Sequence, residues 1–212
     1  MAKTKTINIP AIPVNKVHVR IAGDTDLIIN KMDRRTKDDL LRKQSGKPKI
    51  TDPHNDWEDA ATSIHWNIPV GDIKTEDDFN ELFEKGKPCI SAFGLQKALS
   101  QAVSRFGLDA KGTVFNANVQ VFAENGLIPV DFKERFLDED IIPSNTLAKT
   151  PVRQFHNRFV GWTADIVIRY VDNGQLTLEQ ILQIVGLAGV GIGVGSGKSS
   201  GFGRFHIASA WE

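Results

Sequence analysis

The spacing of apolar residues changes several times along this chain. In KVHVRIA, Lys16 to Ala22, the apolar Val17, Val19 and Ile21 alternate with His18 and Arg20. That two-residue period predicts a half-buried strand, ended by Gly23-Asp24. From 24 to 90 the chain is charged and shows no strong strand. RRTKDDLLRKQ reads as a helix stopped at Gly46-Lys47-Pro48, and DWEDAATSIHW places Trp57, Ala61 and Ile64 at helical spacing. Thr75 opens a further helix with an acidic first turn, and Gly86 follows its last. Ser91 opens the clearest helix: Ala92, Leu95, Leu99, Ala102, Val103 and Phe106 share one face, and Gly107 stops it.

The period then returns to two. Thr113 to Phe122 alternates Phe115, Ala117, Val119 and Val121 with Asn116, Asn118 and Gln120, which predicts a strand with one polar face. Residues 123–160, punctuated by Pro129, Pro143 and Pro151, read as a long irregular excursion. Trp162 to Val171 is a strand with Ala164, Ile166, Ile168 and Tyr170 on one side, turned by Asp172-Asn173-Gly174. Thr177 and Gln180 form a capping box for a helix reaching Leu187. A last strand alternates Phe205, Ile207, Ser209 and Trp211 with Arg204 and His206. Setting aside the insertions at 24–90 and 123–160 leaves β-α-β-β-α-β. The expected class is therefore α+β, a ferredoxin-like (RRM-like) core in a single domain over 1–212.

Composition narrows the class. The 212 residues suffice for one substantial core, with hydrophobic and charged fractions ordinary for a soluble protein. No apolar run approaches a membrane span, no signal peptide is visible, and a single cysteine, Cys89, excludes an internal disulfide. A reducing, cytoplasmic setting is expected, with no membrane partner. Net charge is zero, which argues against a strong nonspecific polyanion binder. The charge is unevenly spread, however: residues 1–50 carry twelve lysines and arginines against five aspartates. Such asymmetry marks either an acidic partner or a solvated helix face.

The candidate chemistry centres on GVGIGVGSGKSSGFGRF, Gly189 to Phe205. Its Gly195-Ser196-Gly197-Lys198-Ser199 invites comparison with a nucleotide-binding P-loop. That motif needs a first glycine at 192, where Ile192 stands, and a strand before the loop with a helix after it. Here a helix precedes and a strand follows, so no helix N-terminus is available to hold a phosphate. The glycines instead suit close backbone approach and amides unshielded by side chains, with Lys198, Arg204 and the hydroxyls of Ser196, Ser199 and Ser200 nearby.

A helix, then glycines with a few basic or polar residues, then GFGRF opening the last strand, resembles the C-terminal glycine-rich loop of the RAMP superfamily. These are ferredoxin-like proteins of CRISPR effector and RNA-processing complexes. RIAGDTDLIINKMD looks like the opening strand and following apolar segment of RAMP backbone subunits. IPVGDI and CISAFGLQKALSQAV are similar to their approach to the first helix. The ending is also similar to that of compact phage-encoded RAMP-like proteins. GFGRF looks like a piece of an RRM motif too, but it opens the fourth strand and not the third. Base stacking by Phe202 and Phe205 therefore does not carry over, and Phe205 is expected to be buried.

The resemblance implies that the insertion at 24–90 is finger-like and helical and that the one at 123–160 is thumb-like. Together they would clamp single-stranded RNA or DNA by its backbone, either as a homo-oligomer along the strand or within a CRISPR-type complex in a bacterial host cell. The residues expected at the nucleic acid are Arg20, Lys31, Arg34, Arg35, Lys97, Arg153, Arg158, Gly193, Gly195, Gly197, Lys198, Ser199 and Arg204. Lys37, Arg42, Lys43, Lys149 and His156 belong to the same basic patches. Two other readings stand beside this one. The chain is a phage interaction or structural protein, or a CRISPR inhibitor, using the fold for protein contacts; or it is a metal-independent endoribonuclease. For the last, His18 and His206 are the candidate acid–base residues, because they lie opposite the apolar strand positions; His65 and His156 are further histidines. No cofactor is expected. Asp52, His54 and Asp56 form only a weak metal pattern, so no metal is expected either. Trp57, Trp66, Trp162 and Trp211 read as core or interface anchors.

Overall fold

The computed structural model describes residues 12–53, 55–108, 111–143 and 151–212, with the side chains of 140–143 and 151–154 outside that description. The first strand is β1 (Val14–Gly23), with Val17, Val19 and Ile21 buried as their alternation requires. A short β2 (Leu27–Ile29) follows, and then three helices: α1 (Arg34–Gln44), α2 (Asp56–Thr62) and α3 (Glu76–Lys85). Each starts at a side-chain cap, Asp33, Asn55 and Thr75 respectively, the last in a full capping box with Asp78. A short β3 (Cys89–Ser91) leads into α4 (Ala92–Arg105), capped by the Ser91 hydroxyl.

Next come α5 (Gly112–Asn118), β4 (Val119–Phe122), β5 (Leu127–Pro129), β6 (Glu134–Pro143), β7 (Pro151–Val160) and β8 (Thr163–Val171). The chain closes with α6 (Leu178–Gly191), a 3₁₀ turn at Lys198–Ser200 and β9 (Phe205–Trp211). The predicted capping box of Thr177 and Gln180 opens α6.

Four strands form the main sheet in the order β4-β8-β1-β9, every neighbouring pair antiparallel. Helices α4 and α6 pack on each other and against this sheet. Between them lie Val19, Ile166, Leu95, Leu99, Ile184 and Phe205, none more than 1% exposed. Burial of this apolar layer is the main stabilising term. Phe205 is buried, as its alternation predicts, while the rest of β9 is largely exposed. A register shift between Arg20 and Ile21 lets β9 leave the regular ladder.

Three expectations are corrected. Thr113–Phe122 is not one strand: residues 112–118 are helical and only Val119–Phe122 is extended. Phe115, Asn118 and Val119 are all buried, a spacing of three and four that belongs to a helix. Asn118, expected on a polar face, donates from Nδ2 to Val114 O and Gln175 Oε1. Residues 123–160 are not irregular: β6 and β7 form a long antiparallel hairpin, with Pro143 opposite Pro151. These prolines bound the strands, where no ladder N–H is required of them. Finally, 24–90 is not without strands, since β2 joins the hairpin in the order β2-β7-β6 and β3 pairs with β5. Neither short strand spans enough residues to show a period. Asn157 on β7 is 3% exposed and donates to Ala60 O and Ser63 Oγ, both at 3.1 Å, which ties the hairpin to α2.

The outer edge of β4 is closed by a side chain. Gln96 of α4 donates from Nε2 to Val119 O (3.0 Å) and accepts from Val121 N at Oε1 (2.8 Å), standing in for a neighbouring strand. Gln96→Ala leaves both backbone groups without that partner. The variant should lose about 1–2 kcal/mol in urea unfolding; an unchanged midpoint would show that water replaces the carboxamide without loss.

Candidate nucleic-acid interface

The glycine loop, 192–204, runs from the end of α6 to the start of β9 and is held by its own backbone. The amides of Ile192 and Gly193 reach Ala188 O, Val194 N donates to Gly203 O (2.9 Å), and Gly203 N to Asp26 O (2.8 Å). Ser196 N donates to Ile28 O (2.7 Å), docking the loop on β2. At Gly195, φ is +75° and an added Cβ would sit 2.4 Å from Ile28 O, so a glycine is required there for close packing. Most loop glycines therefore serve contact within the protein.

A shorter stretch stays open. Among the described residues the amides of Gly197, Lys198 and Ser199 make no hydrogen bond, and they stand at the start of the 3₁₀ turn. No phosphate-binding helix follows; the chain turns instead into an antiparallel strand, which excludes the P-loop reading.

Beside these amides lies a cluster of cations. The partly buried Lys198 ammonium is held below its ordinary range, first by loss of water and then by Lys97, Arg105 and Arg204, with no carboxylate working the other way. Arg204 donates from Nη2 to Lys198 O (3.3 Å), while its Nη1 is buried with no partner. A buried cationic donor without an acceptor is unfavourable. The turn at 24–26 steadies the cluster: Thr25 Oγ1 donates to Gly201 O and accepts from Arg204 N.

The structure thus brings Lys97, Lys198, Ser199, Arg204 and the glycines together, and it adds Arg105. In sequence Arg105 is simply a basic residue in the last turn of α4, where it complements the helix dipole.

The other expected residues lie elsewhere. Arg20 is on β1 with its guanidinium bound to Asp165 through two bonds of 2.7 Å, which raises its pKa and lowers that of Asp165. Arg158 is shared between Asp138 (2.6 Å) and Asp26 (2.9 Å). Arg34 pairs with Glu58 (3.1 Å) and donates to Val70 O, and Arg35 donates to the carbonyls of Ile50, Asp52 and Pro53. Lys31 lines a separate pocket with Arg34 and Lys37. The side chain of Arg153, Lys149 and His54 lie outside the described residues.

The candidate acid–base residues are both engaged within the protein. His18 stacks on Trp211 at 5.7 Å, and His206 Nδ1 lies 2.6 Å from Asp24 Oδ1. Burial pushes the Cys89 thiol up to about 11, so it stays protonated at neutral pH. Among the described residues no group of three metal-ligating side chains converges, and no helix is long and apolar enough to cross a membrane. The outer face of the main sheet is not sealed by apolar side chains: it carries Arg20, Asp165 and Arg169, the last 3.3 Å over the Phe122 ring. A cavity of about 350 Å³ opens there between Trp66, Phe122, Leu127 and Val167.

No protein-family model matches the chain, and no curated protein matches it. Among solved structures it is similar to a chain in the cryo-EM structure of the type III-B Cmr-beta bound to cognate target RNA. That match has 14% identity and a TM-score of 0.46, and covers 93% of this chain and 60% of that one. It is also similar to Cmr6 from Pyrococcus furiosus, at 10% identity and a TM-score of 0.44, covering 92% and 98% of the two chains. The chain therefore spans 60% of the length of the first neighbour.

Proposed function

We propose that this chain is a RAMP-like protein of ferredoxin-like fold that binds single-stranded nucleic acid, RNA being the strand proposed, without cleaving it. The main-sheet order supports the fold assignment. Numbering β1, β4, β8 and β9 as the four core strands gives 4-1-3-2, with α4 and α6 as the two connecting helices. Residues 24–90 then act as a finger-like insertion and 123–160 as a thumb-like one. The strand is gripped by its phosphates, with assembly along it or within a CRISPR-type complex.

One observation carries this reading. Lys97, Arg105 and Arg204 all act on Lys198 with no carboxylate opposing them there, beside three unbonded amides, while Asp24 and Asp26 of the neighbouring turn are engaged by His206 and Arg158. Phosphodiester oxygens can accept from the open amides and pair with the cations, and amides and cations read backbone rather than base sequence.

The test is fluorescence anisotropy with a labelled single-stranded RNA at several salt concentrations. Four cations at roughly 0.7 each give an expected log–log slope of about −3. Lys198→Ala should weaken binding by about tenfold and flatten the slope by about 0.7. The RNA should remain intact throughout. A flat salt dependence, or full affinity in the Lys198 variant, would overturn the assignment of this site.

A further inference from the structure

A second concentration of positive charge lies on the finger-like insertion. A cavity of about 380 Å³ is walled by Lys31, Arg34 and Lys37 from the segment after β2, and by His65, Trp66, Ile68 and Val70 from the segment after α2. This volume is in the range of small-ligand pockets.

Its charge is unbalanced. Arg34 is matched by Glu58, and the Asp33 carboxylate is occupied by the amide and hydroxyl of Thr36. Among the described residues Lys31 and Lys37 make no ion pair. The Lys31 ammonium is depressed by loss of water and then by Lys37 and Arg34; the His65 imidazole is depressed by its own burial and then by Lys31. Each of these influences acts against positive charge, and a dianion in the cavity reverses them. The walls from 66 to 70 add apolar surface, so the cavity offers cations for one end of a ligand and an apolar lining for the other.

We propose that this pocket binds a phosphate monoester carrying an aromatic or apolar body, the chemistry shared by a free mononucleotide and a phosphorylated strand end. The monoester brings the second negative charge that an internal phosphodiester lacks. Lys31 and Lys37 bind the phosphate, and Ile68 and Val70 line the body. This site does not depend on strand binding at the glycine loop.

The experiment follows the His65 imidazole resonances by NMR, with calorimetry alongside. The ligands are AMP, adenosine, inorganic phosphate, and a short oligonucleotide with a 5′-phosphate or a 5′-hydroxyl. AMP should bind and move the His65 titration to higher pH, because the dianion favours the protonated ring. Adenosine should do neither, and inorganic phosphate should bind more weakly than AMP.

Lys31→Ala and Lys37→Ala should each reduce AMP affinity by about tenfold, and Lys31→Arg should restore much of it. Thermal melts of each variant exclude unfolding as the cause. A His65 shift with AMP but with neither strand identifies free nucleotide as the source; a His65 shift with the 5′-phosphorylated but not the 5′-hydroxyl strand identifies the strand end. Either outcome supports the pocket. A His65 titration unmoved by every phosphate monoester, or AMP affinity unchanged in both alanine variants, overturns it. A protein that binds AMP here yet ignores a 5′-hydroxyl strand keeps this site and loses the glycine-loop reading, so the two failures are distinguishable.

Discussion

A Gly203→Ala variant will be less stable than the parent by about 3 kcal/mol in urea unfolding. Gly203 has φ +70°, where a side chain is strained, and an added Cβ would lie 1.9 Å from Val194 O. The conformational part is roughly 1–2 kcal/mol, and the overlap, which only backbone movement can relieve, adds about 1–3 kcal/mol. Gly201→Ala is the matched control. Its φ is +89°, but nothing lies within 4 Å of the added atom, so only the conformational part remains. Gly203→Ala should also weaken strand binding. Relief of the clash must open the Val194–Gly203 hydrogen bond, which helps hold Arg204 beside Lys198. Equal stability of the two variants would show that the loop yields freely and that its fold does not position the cations.

The contrast between these two glycines shows what the sequence discloses about the site. Its glycine spacing marks Gly189–Phe205 as a place of close backbone approach, and the cations Lys198 and Arg204 can be read directly. It does not say which backbone comes close. For Gly195 and Gly203 it is the protein's own, at Ile28 and Val194, and the consecutive unbonded amides are those of Gly197, Lys198 and Ser199. Arg105 is not legible as a site residue, because a basic residue in the last turn of a helix has a local explanation. Only tertiary packing brings it within reach of Lys198. Arg20 and Arg158 show the converse: their charge is plain in the sequence, but their partners Asp165 and Asp26 lie more than a hundred residues away.

For the fold, legibility followed the length of the periodic segment. β1, β8, α4 and α6 each span several periods, and each lies where its pattern predicts. The β-α-β-β-α-β order behind the four-strand sheet was accessible for that reason. Failure came where two periods overlapped. Phe115 and Val119 satisfy both alternation and helical spacing, and the choice rests on Asn118, a polar residue that tertiary bonds make burial possible for. In the β6–β7 hairpin the prolines mask the strand pattern, although Pro143 and Pro151 only bound the strands.

Trp162→Ala should be comparably destabilising, by about 3–5 kcal/mol, and should weaken the candidate site from a distance. The Trp162 side chain is 1% exposed, packs edge-on to Phe205 at 6.2 Å, and fills the space a Cβ on Gly23 would need. Its indole N–H donates to Thr25 O (2.8 Å), and its carbonyl accepts from Gly23 N (2.8 Å). Thr25 in turn holds Gly201 and Arg204 through its hydroxyl. Truncation therefore leaves a cavity under β1 and β9 and frees the turn that carries Thr25. Trp162→Phe separates the two effects: it keeps most of the buried ring but removes the N–H donor, and should lose only about 1–2 kcal/mol. Urea unfolding measures stability, and anisotropy below the unfolding transition measures strand affinity. Affinity should fall in the order parent, Trp162→Phe, Trp162→Ala, while the Lys31 pocket continues to bind AMP. If Trp162→Ala bound RNA as tightly as the parent, Thr25 would not be what holds Arg204 in place, and the cation cluster would have to be organised from α4 and α6 alone.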